Sequence, residues 1–112
     1  MLYGSIAIFA LAAVFGLIIL IKWLQKKDAS SMVIYTHGIL AALALVLVII
    51  YSVQNPNNFP KVSLILFVIA AVFGFYMFFR DLMKKMSPMA VAVIHALIAV
   101  SGFVGLLLFA IA

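Results

Sequence analysis

The sequence predicts an all-α integral membrane protein, a four-helix bundle made of two tandem two-helix repeats. Hydrophobic residues make up 71% of the 112 residues and charged residues only 8%, whereas about 25% of an average soluble domain is charged. Four apolar segments are each long enough to cross a bilayer, and the second half of the chain resembles the first. A soluble fold of this size could not bury so much apolar surface, so soluble and disordered classes are excluded.

The four apolar segments are predicted to be membrane-spanning helices over residues 5–23, 32–51, 62–79 and 89–112. A span needs about 20 apolar residues, and a helix satisfies its own backbone hydrogen bonds in lipid. The first segment has no basic residue before it and continues to Leu24, so we expect a retained span rather than a cleaved signal peptide. Ser87 is expected to be the N-cap of the fourth helix, with Pro88 as its first residue.

The basic residues predict the orientation of the bundle. Six of the seven lie in or beside the first and third connections, and only Lys61 lies beside the middle one. Lys and Arg favour cytoplasmic loops, so both basic connections should be inside and both termini outside. The net charge of +5 is explained by this topology, and no nucleic-acid partner is expected. The expected location is the bacterial inner membrane, and the sequence is compatible with a homo-oligomer.

A shift of 58 residues aligns residues 1–54 with residues 59–112 without a gap, and 14 of the 54 aligned pairs are identical. Lys26 and Lys27 match Lys84 and Lys85, and the two histidines of the chain match each other. Each half contains two spans and therefore enters the membrane in the same direction. We expect a parallel repeat with a pseudo-two-fold axis along the membrane normal.

The two histidines, His37 and His95, are the candidate functional residues. Each lies seven residues after a predicted helix start, at Ser30 and Pro88, which places it about 10 Å along its helix. An ionisable residue inside a span is costly and indicates a functional site. The alternative is that each imidazole only joins two helices by a hydrogen bond. Matched depth on opposite sides of an axis favours one shared metal centre.

Haem iron suits this pair better than a bare ion. Zinc needs about four ligands, the chain has no cysteine and its two acidic residues lie outside the predicted spans. Haem needs only two axial ligands from the protein. Small residues near the histidines would let a flat ring approach the helices, namely Gly38, Ala41, Ala96 and Ala99. The helix N-termini and four lysines would face its propionates, namely Lys26, Lys27, Lys84 and Lys85.

With His37 and His95 in a duplicated four-helix frame, the chain resembles small membrane b-type cytochromes with bis-histidine haem. The resemblance implies at most one haem b per chain and a role in electron transfer or haem handling. It also implies a cytoplasmic or membrane redox partner, because a haem near one face is a poor conductor across the whole bilayer. We expect a redox carrier or haem-binding protein rather than a stand-alone enzyme.

Three other functions remain open at this point. A small proton-linked transporter fits the size, although only the histidines could carry protons because no predicted span contains Asp or Glu. Copper handling would use the thioethers of Met83, Met86 and Met89. A structural membrane subunit without a cofactor would use the histidines only to join helices. A conventional hydrolase is not expected, because no serine has a neighbouring acid–histidine pair.

Overall fold

The computed structural model describes all residues from 1 to 112 and contains four helices and no strand. They are α1 (Leu2–Leu24), α2 (Ser31–Gln54), α3 (Lys61–Leu82) and α4 (Met89–Ile111). The predicted all-α, four-helix fold is confirmed, and each helix begins and ends within three residues of its predicted bounds.

All four helices are long and apolar enough to cross a membrane. The bundle measures 44 × 23 × 21 Å, so its long axis exceeds the hydrocarbon thickness of about 30 Å. Large apolar side chains cover its outer surface along every helix, for example Leu17, Ile39, Val72 and Leu97. An outer surface of this kind is suited to lipid and not to water, as in a multi-pass membrane protein.

The helices form a ring in which α1 packs most extensively on α2, and α3 on α4. The ring is closed by contacts of α1 with α4 and of α2 with α3. The two histidine-bearing helices, α2 and α4, are therefore diagonal partners. The largest buried apolar cluster lies toward the end of the bundle that holds the middle connection, and comprises Phe9, Ala44, Val48, Phe67 and Leu106.

Residues that are 58 positions apart meet at the centre of the bundle. Phe9 stacks on Phe67 with ring centroids 4.1 Å apart and planes 13° from parallel. Tyr51 and Phe109, again 58 positions apart, contact each other edge to face at 6.1 Å. Such contacts between equivalent residues agree with the predicted repeat of two halves, which stays a prediction. The direction of the axis relative to a membrane stays a prediction.

The first and third connections begin with the same backbone turn. Lys26 and Lys84 have positive φ angles of 58° and 57°. The amide of the following lysine bonds to the carbonyl of Lys22 in one half and of Arg80 in the other. This is the Schellman arrangement, which satisfies two of the carbonyls left free at a helix C-terminus.

One detail of the predicted helix starts is wrong. Pro88, and not Ser87, is the N-cap of α4, and no side chain caps the helix there. The ψ angle of Pro88 is 134°, which is extended rather than helical, so α4 begins at Met89.

Candidate functional site

His37 extends from α2 across to α1. Its Nδ1 lies 2.7 Å from the carbonyl oxygen of Ala12. Because a carbonyl oxygen only accepts hydrogen bonds, Nδ1 carries the proton and donates it. In the neutral ring this leaves the lone pair on Nε2, which is the nitrogen free to bind a metal.

The ring of His37 also lies against Gly16, one turn further along α1. A Cβ atom on Gly16 would stand 2.8 Å from Cε1 of His37, closer than such atoms ordinarily approach. Glycine is therefore required at this position for the imidazole to reach the carbonyl of Ala12. We call Ala12 and Gly16 the seat of the ring. The carbonyl of Ala12 accepts its hydrogen bond, and Gly16 leaves the space that the ring occupies.

His95 repeats this arrangement in the second half of the chain. Its Nδ1 lies 2.7 Å from the carbonyl oxygen of Ala70 on α3. A Cβ atom on Gly74 would be 3.2 Å from Cε1 of His95, so the ring is seated against that glycine slightly less tightly. Both imidazoles thus have the same proton position and the same kind of neighbour.

These four seat residues were not predicted as part of the site. Small residues spaced four apart on a helix ordinarily indicate close packing against a neighbouring helix. A signal for the seats is nevertheless present in the sequence, because Ala12 and Gly16 are identical to Ala70 and Gly74 at the same shift of 58 that relates the histidines.

The two imidazoles lie close to each other inside the bundle. Their ring centroids are 6.4 Å apart and their planes are 82° from parallel. Both residues are half-buried. Since a metal–imidazole nitrogen bond is about 2 Å long, two rings on opposite sides of one metal would have centres about 6 Å apart. The observed separation therefore matches the requirement for one shared metal.

No third protein ligand accompanies the pair. The chain contains no group of three or more His, Cys, Asp or Glu side chains that could hold a metal ion. Two imidazoles are fewer than the four ligands that a structural zinc takes, but they are the number that haem iron takes from a protein when both axial positions are filled. Two histidines with ring centroids 6.4 Å apart fit the ligand requirement of haem, and His37 and His95 would be its two ligands.

Apolar layers lie on both sides of the histidine pair. Toward the end with the middle connection, the stacked rings of Phe9 and Phe67 fill the centre of the bundle. Toward the end with the two basic connections, Ile19 and Met77 are buried, each one turn beyond a glycine seat. The imidazoles are therefore the polar groups of an otherwise apolar section of the bundle, a suitable environment for a macrocycle with a large apolar surface.

The small residues predicted to contact a haem ring do not all face inward. Ala41, Ala96 and Ala99 are half-buried. Gly38 is exposed, and nothing lies within 4 Å of the position that a Cβ atom on it would take. Gly38 follows His37 directly and is rotated about 100° around the helix, so it faces the outside of the bundle and does not line the histidine site.

The four predicted propionate partners, Lys26, Lys27, Lys84 and Lys85, are exposed at the end of the bundle where α2 and α4 begin. Their positive charge lies at the end of the bundle that was predicted to face the propionates. None of the four lysines forms a salt bridge or side-chain hydrogen bond that would fix the position of its ammonium group. Arg80 is different, since its guanidinium donates two hydrogen bonds to the carbonyl of Met86 and ties the third connection to α3.

Comparisons of the chain with protein-family models, curated proteins and solved structures gave no match. The chemistry of the histidine pair is therefore the basis for assigning a function.

Proposed function

We propose that the chain is a membrane haem b protein in which His37 and His95 are the two axial ligands of one iron. The observation that carries the proposal is the geometry of the pair. The rings are 6.4 Å apart, and each donates its Nδ1 proton to a backbone carbonyl. That bond fixes the tautomer and leaves Nε2 for the metal, as second-shell acceptors commonly do for ligating histidines.

The chain supplies orientation and surroundings for the haem. Ala12 and Ala70 orient the imidazoles through their carbonyls, and Gly16 and Gly74 leave the space in which the rings lie. The exposed lysines at the same end of the bundle complement the negative charge of the propionates. When bound, haem would supply one-electron redox chemistry. We assign the protein to electron transfer or haem handling in the bacterial inner membrane, with a cytoplasmic or membrane redox partner.

An absorption spectrum tests the proposal. The protein is expressed in haem-sufficient cells, purified in detergent and measured in oxidised and reduced form. We expect a Soret band in the wild type and its loss in both His37→Ala and His95→Ala. Thr36→Ala is the matched control, because its hydroxyl bonds only to Met32 of its own helix and its loss should leave the spectrum unchanged. A colourless wild-type protein that also fails to take up added haemin would contradict the proposal.

A second candidate function is favoured by the same hydrogen bonds. Each imidazole joins two helices, α2 to α1 in one half and α4 to α3 in the other. A structural membrane subunit would use the histidines in this way without any cofactor, at a value of about 1 kcal/mol for each interhelical bond. In that case the wild type would be colourless, and His37→Ala would lower its thermal stability without any spectral change.

A further inference from the structure

We propose that the phosphate group of a membrane phospholipid binds in an open cleft at the opposite end of the bundle from the basic connections. The cleft lies between the start of α3 and the last turns of α4 and has a volume of about 460 Å³. Its lining includes Phe59, Pro60, Lys61, Ser63, Gly105 and Phe109. We call it the α3–α4 cleft. It is independent of the histidine pair.

The first indication is an unpartnered hydroxyl. Ser63 is only 2% exposed, yet its Oγ has no hydrogen-bond partner in the chain, whereas the buried Ser5 and Ser52 each bond to a carbonyl of their own helix. Every side-chain oxygen that is fully enclosed in the chain has a hydrogen-bond partner. Because the Ser63 hydroxyl has none, it is not fully enclosed and is reached through the cleft. It points toward Gly105, where a Cβ atom would lie 2.6 Å from Oγ. The hydroxyl is therefore free to bond to a ligand that enters the cleft.

The backbone supplies two more donors beside that hydroxyl. The amides of Val62 and Ser63 lie in the first turn of α3, where no carbonyl of the helix can accept from them, and neither finds another backbone acceptor. The N-cap of this helix is Pro60, and no side chain caps it. The positive end of the helix dipole and these free N–H groups therefore belong to residues of the cleft lining, an arrangement that favours an anion.

Lys61 adds a full positive charge at the same place. Its Nζ lies 5.6 Å from the centre of the Phe59 ring, and Phe59 forms part of the cleft lining. The cation–π contact thus places the ammonium group over a ring of the cleft lining. An ammonium group, two amides and a hydroxyl in one cleft are the donor set of a phosphate site.

The first half of the chain lacks the cation, the glycine and the free hydroxyl at the equivalent positions. Tyr3 stands in place of Lys61, and Leu47 stands in place of Gly105. Ser5, equivalent to Ser63, donates its proton to the carbonyl of Leu2. Only the second half combines a cation, a glycine gap and a free hydroxyl, and their coincidence at one cleft is not required by the fold that both halves share.

The apolar surroundings favour a phospholipid as the source of the phosphate. Val62 and Leu108 lie at the cleft and are 70% and 59% exposed, on helices suited to lipid contact. A headgroup phosphate in the cleft would place acyl chains along this apolar surface. Free inorganic phosphate has no apolar part that could contact this surface.

Native mass spectrometry of the full chain in detergent, titrated with phosphatidylglycerol, tests the proposal. We expect Lys61→Gln to weaken lipid binding about tenfold, because a charge-assisted contact is lost. Ser63→Ala should weaken lipid binding several-fold without disturbing the fold. Gly105→Ala should also weaken lipid binding, because the added methyl group would displace the Ser63 hydroxyl. Lys27→Gln is the matched control, since it removes the same charge at the other end of the bundle and should leave the affinity of the cleft unchanged.

Two results would overturn the proposal. Equal weakening by Lys61→Gln and Lys27→Gln would show only general attraction between basic residues and an anionic lipid. Displacement of the lipid by inorganic phosphate at equal concentration would assign the cleft to the free anion instead. His37→Ala should retain full lipid binding, so that failure of the haem proposal and failure of this one are distinguishable.

Discussion

The imidazole of His37 rests on Gly16 so closely that a Cβ atom there would stand 2.8 Å from the ring. The ring reaches the Ala12 carbonyl only because this glycine has no side chain. The corresponding distance between Gly74 and His95 is 3.2 Å. Both glycines therefore lie against an imidazole in the same way, but Gly74 leaves slightly more space than Gly16. An added methyl group should be less destabilising at Gly74.

Gly16→Ala should destabilise the bundle by about 1–3 kcal/mol, the usual cost of overpacking a core. Gly74→Ala should cost less, because its new methyl group would need a displacement of only a few tenths of an ångström. Thermal unfolding in detergent measures both changes. Gly38→Ala is the control, since nothing lies within 4 Å of the added atom, and it should be neutral or slightly stabilising. A Gly16→Ala variant as stable as Gly38→Ala would contradict the described seat.

Phe67→Ala should lower the free energy of unfolding by roughly 2–3 kcal/mol. Its ring stacks on Phe9 at 4.1 Å in the centre of the bundle, and truncation would leave a cavity. The loss should be at or just below the low end of the range of about 3–5 kcal/mol for Phe→Ala in soluble cores, because the unfolded chain stays in an apolar medium. Reversible unfolding in mixed micelles provides the measurement. Phe75→Ala, at a position 59% exposed, should change stability little.

Lys26→Gly and Lys84→Gly should each stabilise the protein by about 1 kcal/mol. Both lysines have left-handed backbone angles, with φ of 58° and 57°, which cost a non-glycine residue about 1 kcal/mol or more. Melting temperatures of the apoprotein check this prediction. Lys27→Gly removes the same charge at a position without positive φ, and it should bring no gain. Stabilisation of all three variants alike would attribute the effect to charge rather than to backbone angle.

The predicted orientation can be tested by cysteine labelling, because the chain has no native cysteine. Asn57→Cys in the middle connection should react with a membrane-impermeant maleimide in intact cells. Ser30→Cys and Ser87→Cys, beside the basic connections, should react only after the membrane is opened. The expectation follows from the preference of Lys and Arg for the cytoplasmic side. The reverse labelling pattern would invert the orientation and place the basic end outside.

The sequence by itself determined the number of helices, their bounds to within three residues, and the pairing of residues at a shift of 58. These features depend on composition and spacing along the chain. A run of about 20 apolar residues has few alternatives to a helix in lipid. The common depth of His37 and His95 was predictable as well, because they occupy equivalent positions in the two halves. That both rings turn toward each other was not, because it depends on which helix faces point inward.

Only the tertiary structure decided which faces of the helices turn inward. Gly38 was expected beside the site and lies outside it, whereas Gly16 and Gly74 were not among the predicted site residues and lie against the imidazoles. In a soluble helix the apolar stripe marks the buried face. In these helices nearly every face is apolar, so periodicity along the sequence cannot distinguish the core from the lipid side. The inward face is set by how side chains such as the imidazole fit against a neighbouring backbone, and that fit exists only once the four helices are packed together.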